Sequence, residues 1–275
     1  MDLESVTYEV DDAVAIISLN RPDAANSYGQ PVLDELDWCW TQADHDPQVK
    51  VIVMRSNGKH FSAGHDMRLS DTLPPEELIK RRDPDLHYDW EARGYFGMAK
   101  HWRDIPKPSI AAVQGKCIAA GLMLCWPCDL IMAADNAEFA DPVAYMGICG
   151  VEMHAHTWEF GARKAKELLF TSGYLSAEEA REVGMVNHVV PLDELMPATM
   201  ELAHRIAKQD PFALRMAKRA VNQTLDIQGY SASLEYGFDL HHLGHNRARV
   251  VTGGRGSLAG LDTMRDKNRA GDAPV

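Results

Sequence analysis

Apolar residues follow two periods along this chain, and the period changes several times. Residues 6–10 and 13–19 alternate or run apolar on either side of Asp11-Asp12, which predicts two strands joined by a tight turn. Asn20-Arg21-Pro22 ends the second strand. From Pro31 onward, Val32, Leu36, Cys39, Trp40 and Ala43 recur at three- and four-residue spacing. That spacing predicts a helix that opens on a first-turn proline and stops at His45-Asp46-Pro47. Residues 49–54 are a short β-branched run, read as a buried strand, and Ser56-Asn57-Gly58 turns the chain. Further strands are predicted at 109–113, 129–133, 137–140 and 186–190, with a short apolar helix at 122–126 and a longer one at 157–170. Ser176 with Glu179 forms a capping box that opens another short helix. Past residue 190 only helical stretches follow, at 192–208, 211–224 and about 231–249. Strands alternating with helices, then an all-helical end, imply an α/β core over 1–190 and a helical C-terminal module over 191–275. The tail after Thr252 is rich in Gly, Arg and Asp and reads as a loose end.

Residues 70–104 are the least regular stretch. Pro74-Pro75 and Asp83-Pro84 interrupt it, yet it carries Tyr88, Trp90, Tyr95, Phe96 and Trp102. Aromatics at that density suggest either a helical lid that shapes a substrate pocket or a surface helix burying its own rings. Charge narrows the classes of partner. Among 275 residues, 28 Lys plus Arg face 40 Asp plus Glu, a net charge of −12. That excess argues against nucleic acid and anionic membrane surfaces, although a local basic patch could still hold a phosphate. No apolar run approaches the roughly 20 residues of a membrane helix. The opening MDLESVTYEV lacks the pattern of a signal peptide. Five cysteines do not make a disulfide framework, so a reduced cytoplasmic protein is expected.

Two glycine-containing turns could carry chemistry, because each follows a predicted strand. The first runs Lys59-His60-Phe61-Ser62-Ala63-Gly64-His65-Asp66-Met67, and the second Gln114-Gly115-Lys116-Cys117-Ile118-Ala119-Ala120-Gly121-Leu122. Small residues let a backbone N–H approach a ligand, and the second turn opens a helix, whose first N–H groups are free. Two such donors on one oxygen would form an oxyanion hole. Neither turn fits a phosphate-binding fingerprint.

These segments resemble the crotonase superfamily, the enoyl-CoA hydratase/isomerase family, over about residues 6–218. The resemblance rests on YEVDDAVAIISLNRP, KHFSAGHDM, KPSIAAVQGKCIAAGL with Cys128-Asp129 behind it, AEFADP and LSAEEAREVGMVNHVVP, in that order. It implies a ββα spiral core with a helical trimerisation module, and an acyl-CoA thioester as substrate. Coenzyme A would enter only as part of that substrate, with no separate cofactor, and the assembly would be a homotrimer or dimer of trimers. Carried over by position, the oxyanion donors are the backbone N–H groups of His65 and Ala120. Losing one such donor costs about 3 kcal/mol of barrier. Lys59, His60 and Arg68 are candidates for the coenzyme A end, with Ser62 and Ala63 on the same loop. Residues 70–104, Met123, Val143 and Tyr145 would shape the acyl end, which suggests a roomy apolar site.

The sequence also departs from the family pattern. Met123 and Val143 stand where family hydratases carry their two catalytic glutamates, and neither can move a proton, so the standard two-glutamate hydration is doubtful. The loop Gly147-Ile148-Cys149-Gly150-Val151-Glu152-Met153-His154-Ala155-His156 supplies another acid. Glu152 is the expected acid or base, with His154 or His156 as a second proton carrier. Alternatively, Glu152 is a surface carboxylate near a helix N-terminus. Asp66 is expected to order the first loop. His154-x-His156 and His241/His245 could each be half of a metal site, but no third ligand is fixed by spacing, so no metal is expected. Cys125-Trp-Pro-Cys128 reads as buried packing at a helix C-terminus rather than as a redox pair. The leading function is thus an acyl-CoA enzyme that stabilises a thioester enolate. A catalytically silent acyl-CoA binding protein and a thioester hydrolase are the alternatives.

Overall fold

The structure is a computed structural model that describes residues 1–67 and 82–260. Arg68 and part of the 70–104 segment lie outside the described residues. Strands β1 (Val6–Asp11) and β2 (Val14–Leu19) pair antiparallel across Asp12, whose positive φ suits the turn. Strands β3 (Val51–Ser56), β4 (Ser109–Val113), β6 (Leu130–Ala134) and β9 (His188–Val190) then add in parallel. The resulting six-stranded sheet has the order β1-β2-β3-β4-β6-β9. The central strands are buried on both faces, which is why they read as largely apolar runs rather than as alternating ones. A second, three-stranded sheet joins β5 (Lys116–Ile118), β7 (Glu138–Ala140) and β8 (Leu175–Ser176).

Helix α1 (Gln30–His45) buries Val32, Leu36, Cys39, Trp40 and Ala43, the stripe its periodicity predicts. The aromatic segment forms α2 (Pro84–Arg93), capped by the Asp83 carboxylate, and α3 (Tyr95–Asp104). Tyr95, Phe96 and Trp102 are buried, and Trp102 stacks on Trp40. These aromatics therefore fasten α3 to the core. The chain continues through the short α4 (Leu122–Cys125), α5 (His156–Thr171) and α6 (Ala177–Glu182), the last opened by the capping box of Ser176 and Glu179. Three helices close it: α7 (Leu195–Ala207), α8 (Pro211–Ile227) and α9 (Tyr230–Thr252). Helix α7 packs on the sheet itself, where Leu195, Ala203 and Ala207 share a buried cluster with Val14, Val51, Val53 and Ile110. The result is the mixed-sheet ββα core with a helical C-terminal end that the sequence implies.

One region read as a bare turn is more regular. Lys116–Ile118 is a strand of three residues, too short to show a period, and it is held by pairing with β7 and by a bridge from Ser62 to Cys117. No helix among the described residues is long and apolar enough to cross a membrane.

Candidate active site

The two glycine turns meet. Ser62 N donates to Lys116 O at 3.1 Å, and Ile118 N returns a bond to Ser62 O at 2.9 Å. Gly64 has φ +81°, and a Cβ there would stand 2.8 Å from Ile118 O and 3.0 Å from Ala120 N. Only glycine allows this approach, so the backbone at 64–65 lies directly against that at 119–120. His65 forms a parallel bridge with Tyr28, in which the bonds run from Tyr28 N to Gly64 O and from Asp66 N to Tyr28 O. In a parallel bridge the flanking residues make the bonds, so the N–H of His65 itself faces away from Tyr28. Ala120 sits in the first turn of the 3-10 segment Ala119–Gly121, where N–H groups have no partner within the helix. Its carbonyl accepts from the Tyr28 hydroxyl at 2.8 Å. Burial, then the Glu152 charge, push that hydroxyl well up, which keeps it a donor.

The side chains of the first loop are mostly spent on holding it. Ser62 is fully buried, donates to Asn26 O at 2.8 Å and accepts from Gly64 N at 3.1 Å. Asp66 pairs with Arg21 at 3.0 Å, the ordering role expected of it. His60 Nδ1 accepts from Lys116 N at 3.1 Å, and burial together with Lys59 and Lys116 lowers its pKa. Lys59 lies in the turn beside it, and Ala63 is exposed.

A cavity of about 260 Å³ opens against this loop, lined by residues that include His65, Trp90, Tyr95, Val143 and Glu152. Glu152 is fully buried. Its Oε1 lies 2.7 Å from His65 Nε2, while its Oε2 has no hydrogen-bond partner among the described residues. Burial alone would raise the Glu152 pKa, but the charge and hydrogen bond of His65 outweigh it and hold the carboxyl below its usual range. Burial likewise opposes a charged His65, and Glu152 overcomes it, so the imidazole pKa is raised. Both directions describe one imidazolium–carboxylate pair. Tyr95 packs edge-on against the His65 ring, with centroids 4.3 Å apart.

The loop that carries Glu152 is fixed from below. Asp141 Oδ2 accepts from Val151 N at 2.9 Å and lies 2.9 Å from His156 Nε2, with both side chains fully buried. From outside, α9 presses on the same loop. A Cβ on Gly237 would stand 2.6 Å from His154 Cβ, so only a glycine lets the helix lie this close.

The expected acyl-end residues separate. Val143 lines the cavity, joined by Met146 and Ile148, which sequence reading missed. Met123 is buried in the core and, like Tyr145, is outside the cavity lining. His154 is also outside the lining and packs on His156, with ring centroids 4.4 Å apart. The imidazole that reaches Glu152 is instead that of His65, expected only to offer its main chain. Nothing local could have signalled this, because the pair is 87 residues apart.

Glu91 on α2 is a second buried carboxylate lining the cavity. His87 one turn earlier lies 3.1 Å from it, while His242 and His241 on α9 lie at 3.0 and 3.5 Å. Burial would raise the Glu91 pKa, but His87, His241 and His242 hold it well below the usual range. Burial lowers His241, yet Glu91 and Glu152 raise it to about 9. His245 is pushed down to about 3 by burial, with the charges of His241 and His87 adding to the effect.

Comparisons with known proteins agree with this architecture. The family profile described as enoyl-CoA hydratase/isomerase matches residues 9–254. EchA13 of Mycobacterium tuberculosis, which its name offers as an enoyl-CoA hydratase, is 40% identical over 273 residues, covering 92% of this chain and 85% of that one. A crotonyl-CoA hydratase of Syntrophomonas wolfei is 32% identical over 232 residues, with 81% and 83% of the two chains covered. A solved structure of a candidate enoyl-CoA hydratase from Mycobacterium smegmatis superposes with a TM-score of 0.86 at 55% identity, over 92% of this chain and 99% of that one.

Proposed function

The chain belongs to the enoyl-CoA hydratase/isomerase family, and from that premise we propose that it is an enzyme of acyl-CoA thioesters in which Glu152 moves the proton. One observation carries the reading. A fully buried carboxylate lines the cavity with one oxygen held by an imidazole and the other without a hydrogen-bond partner among the described residues. Leaving such an atom unpaired costs about 1–3 kcal/mol, which a substrate proton would relieve.

The chemistry follows from two converging turns and one carboxyl. Glu152 takes a proton from the carbon next to the thioester carbonyl. The C–H electron pair moves toward the thioester oxygen, and the backbone N–H groups of His65 and Ala120 stabilise the resulting enolate. Return of that proton farther along the conjugated chain shifts a double bond. In hydration, Glu152 instead takes a proton from water as its oxygen adds to the third carbon, and delivers it to the second. Met123 and Val143 hold no proton, so a single carboxyl serves both steps. Val143, Met146, Ile148 and Trp90 surround the acyl group. Lys59, His60 and, by its place in the sequence, Arg68 fall to the coenzyme A end. Helix α8 buries no residue and shows Phe212, Met216, Val221 and Ile227 outward, a face suited to cover by further copies in a homotrimer or dimer of trimers. The five free thiols suit a reducing cytoplasm.

The test is mass spectrometry of the purified chain with 2-enoyl-, 3-enoyl- and saturated acyl-CoA thioesters. A gain of water or a shifted double bond is expected. Release of free CoA would identify a hydrolase, and tight binding without turnover a silent binding protein. Either result would overturn the proposal.

A further inference from the structure

Helices α2 and α9 meet over a cluster that the proposed reaction leaves unused. Glu91 and His87 project from one face of α2 at i, i+4 spacing, and His241, His242 and His245 come from α9. Glu91, His241 and His242 are buried, and both imidazoles reach the Glu91 carboxylate, at 3.5 and 3.0 Å.

Two of these imidazoles have their protonation fixed by the backbone. His241 Nδ1 lies 2.7 Å from Gly150 O, and His245 Nδ1 lies 2.5 Å from Gly256 O. A carbonyl only accepts, so each Nδ1 carries its proton and donates. The Nε2 of a neutral His245 is then a bare lone pair, and that of His241 becomes one when a metal ion displaces its second ring proton. Those two Nε2 atoms lie 2.9 Å apart. Two lone pairs would repel at that distance, so the gap is bridged either by the second ring proton of His241 or by a metal ion that replaces it. Metal-ligating histidines are commonly oriented in this way, with the second ring nitrogen donating to a backbone carbonyl.

Glu91 completes the set. One of its carboxylate oxygens and one ring nitrogen each of His241 and His245 all lie within 4.8 Å of one another. Bonds of about 2.0–2.1 Å in a tetrahedral site put neighbouring ligand atoms about 3.3 Å apart. The separations of 2.9 Å between the histidines and 3.5 Å from His241 to Glu91 bracket that edge. We propose that Glu91, His241 and His245 bind one divalent transition-metal ion of the zinc class in the wall of the cavity. Two imidazoles and a carboxylate favour such an ion over magnesium or calcium, which take oxygen ligands. With three protein ligands, a fourth position is left for water or a ligand oxygen. His87 and His242 hold the same carboxylate and so orient it. The proposal stands independently of whether Glu152 moves a proton.

The test uses the full chain, stripped with a chelator and dialysed against zinc or cobalt(II) chloride. Elemental analysis should return one ion per chain, and cobalt(II) should give the intense visible absorption of a tetrahedral site. His245→Ala and His241→Ala should each weaken zinc affinity by at least about 100-fold. His204→Ala, at a surface histidine paired with Asp11, should bind as the parent does. Should the alanine variants fail to fold, the parent's cobalt spectrum decides on its own, since weak octahedral absorption contradicts the proposed set. No stoichiometric ion in the parent, or undiminished binding in folded His245→Ala, would overturn the proposal. A shared proton would then be the species between the two rings.

Discussion

The two walls of the cavity are made in opposite ways. One is backbone: the turns at 62–65 and 117–121 meet through main-chain bonds, and Ser62, Asp66 and Tyr28 hold the peptides in place. The other is side chain: Glu152, Glu91 and a set of histidines stand on α2, on α9 and on the loop before α5. A backbone wall tolerates changes of side chain so long as the glycines remain, and it can serve many reactions of one kind. A side-chain wall determines which reaction is run. In the proposed reading, the first wall stabilises the enolate and the second moves the proton.

The sharpest way to break the contrast is to remove the proposed proton carrier from the side-chain wall. Glu152→Gln keeps the shape and should lower kcat by about 10²- to 10⁴-fold with thioester affinity nearly unchanged, read by steady-state kinetics and calorimetry. Next comes the backbone wall. Gly64→Ala puts a methyl 2.8 Å from Ile118 O at a φ of +81°, so the two turns must part. The loss should be about 10²- to 10³-fold in kcat, as for a missing oxyanion donor. A variant that turned over normally would show that the turns do not form the hole.

The legibility of the sequence divides along the same line. The backbone wall is legible, because glycines and small residues at strand ends are local signals and the hydrophobic periods fix the flanking strands. The place of Glu152 beside the cavity is legible too, since an acid in a loop before a helix is visible in one short segment, while its catalytic role is a proposal. Its partner is not. His154 is nearer in sequence, but its ring is taken up by Gly150 and His156. His65 arrives only through the bridge to Tyr28. Glu91 is hidden in part for the same reason: His87 stands beside it at i, i+4, but His241 and His242 come from a helix some 150 residues later. Periodicity shows which face of a helix is buried, not which distant residue it meets.

A pH profile sharpens the comparison further. The Glu152 pKa is below its ordinary 4.5 and the His65 pKa above its ordinary 6.5. In between, the pair is carboxylate and imidazolium, and kcat/KM should be flat, falling on the acid side as Glu152 takes a proton and on the alkaline side as His65 loses one. In His65→Ala the alkaline fall should vanish. The acid fall should move to higher pH, because burial of Glu152 is then opposed only by the more weakly acting His241 charge, and the rate near neutrality should drop about 10-fold or more. Stability follows the same signs. The contribution of His65 is complete below about pH 6.5 and is lost as pH rises through its raised pKa; that of Glu152 is complete above about pH 4.5 and is lost as pH falls through its lowered pKa. Chemical denaturation across pH checks both.

The smallest expected effect comes from beneath the loop. Asp141→Asn keeps an acceptor for Val151 N but removes the charge facing His156. It should cost about 1–3 kcal/mol of stability, with a smaller loss of rate as Glu152 loses its seat. Thermal unfolding beside kinetics separates the two.

The central claim is that Glu152 moves a proton at the carbon next to the thioester. Exchange of that hydrogen into deuterated water, followed by mass spectrometry of a saturated acyl-CoA, tests it whatever the natural acyl group is. The parent chain should exchange one or both hydrogens at that carbon, and Glu152→Gln should bind the same thioester and leave them in place. Equal exchange by the two would contradict the account.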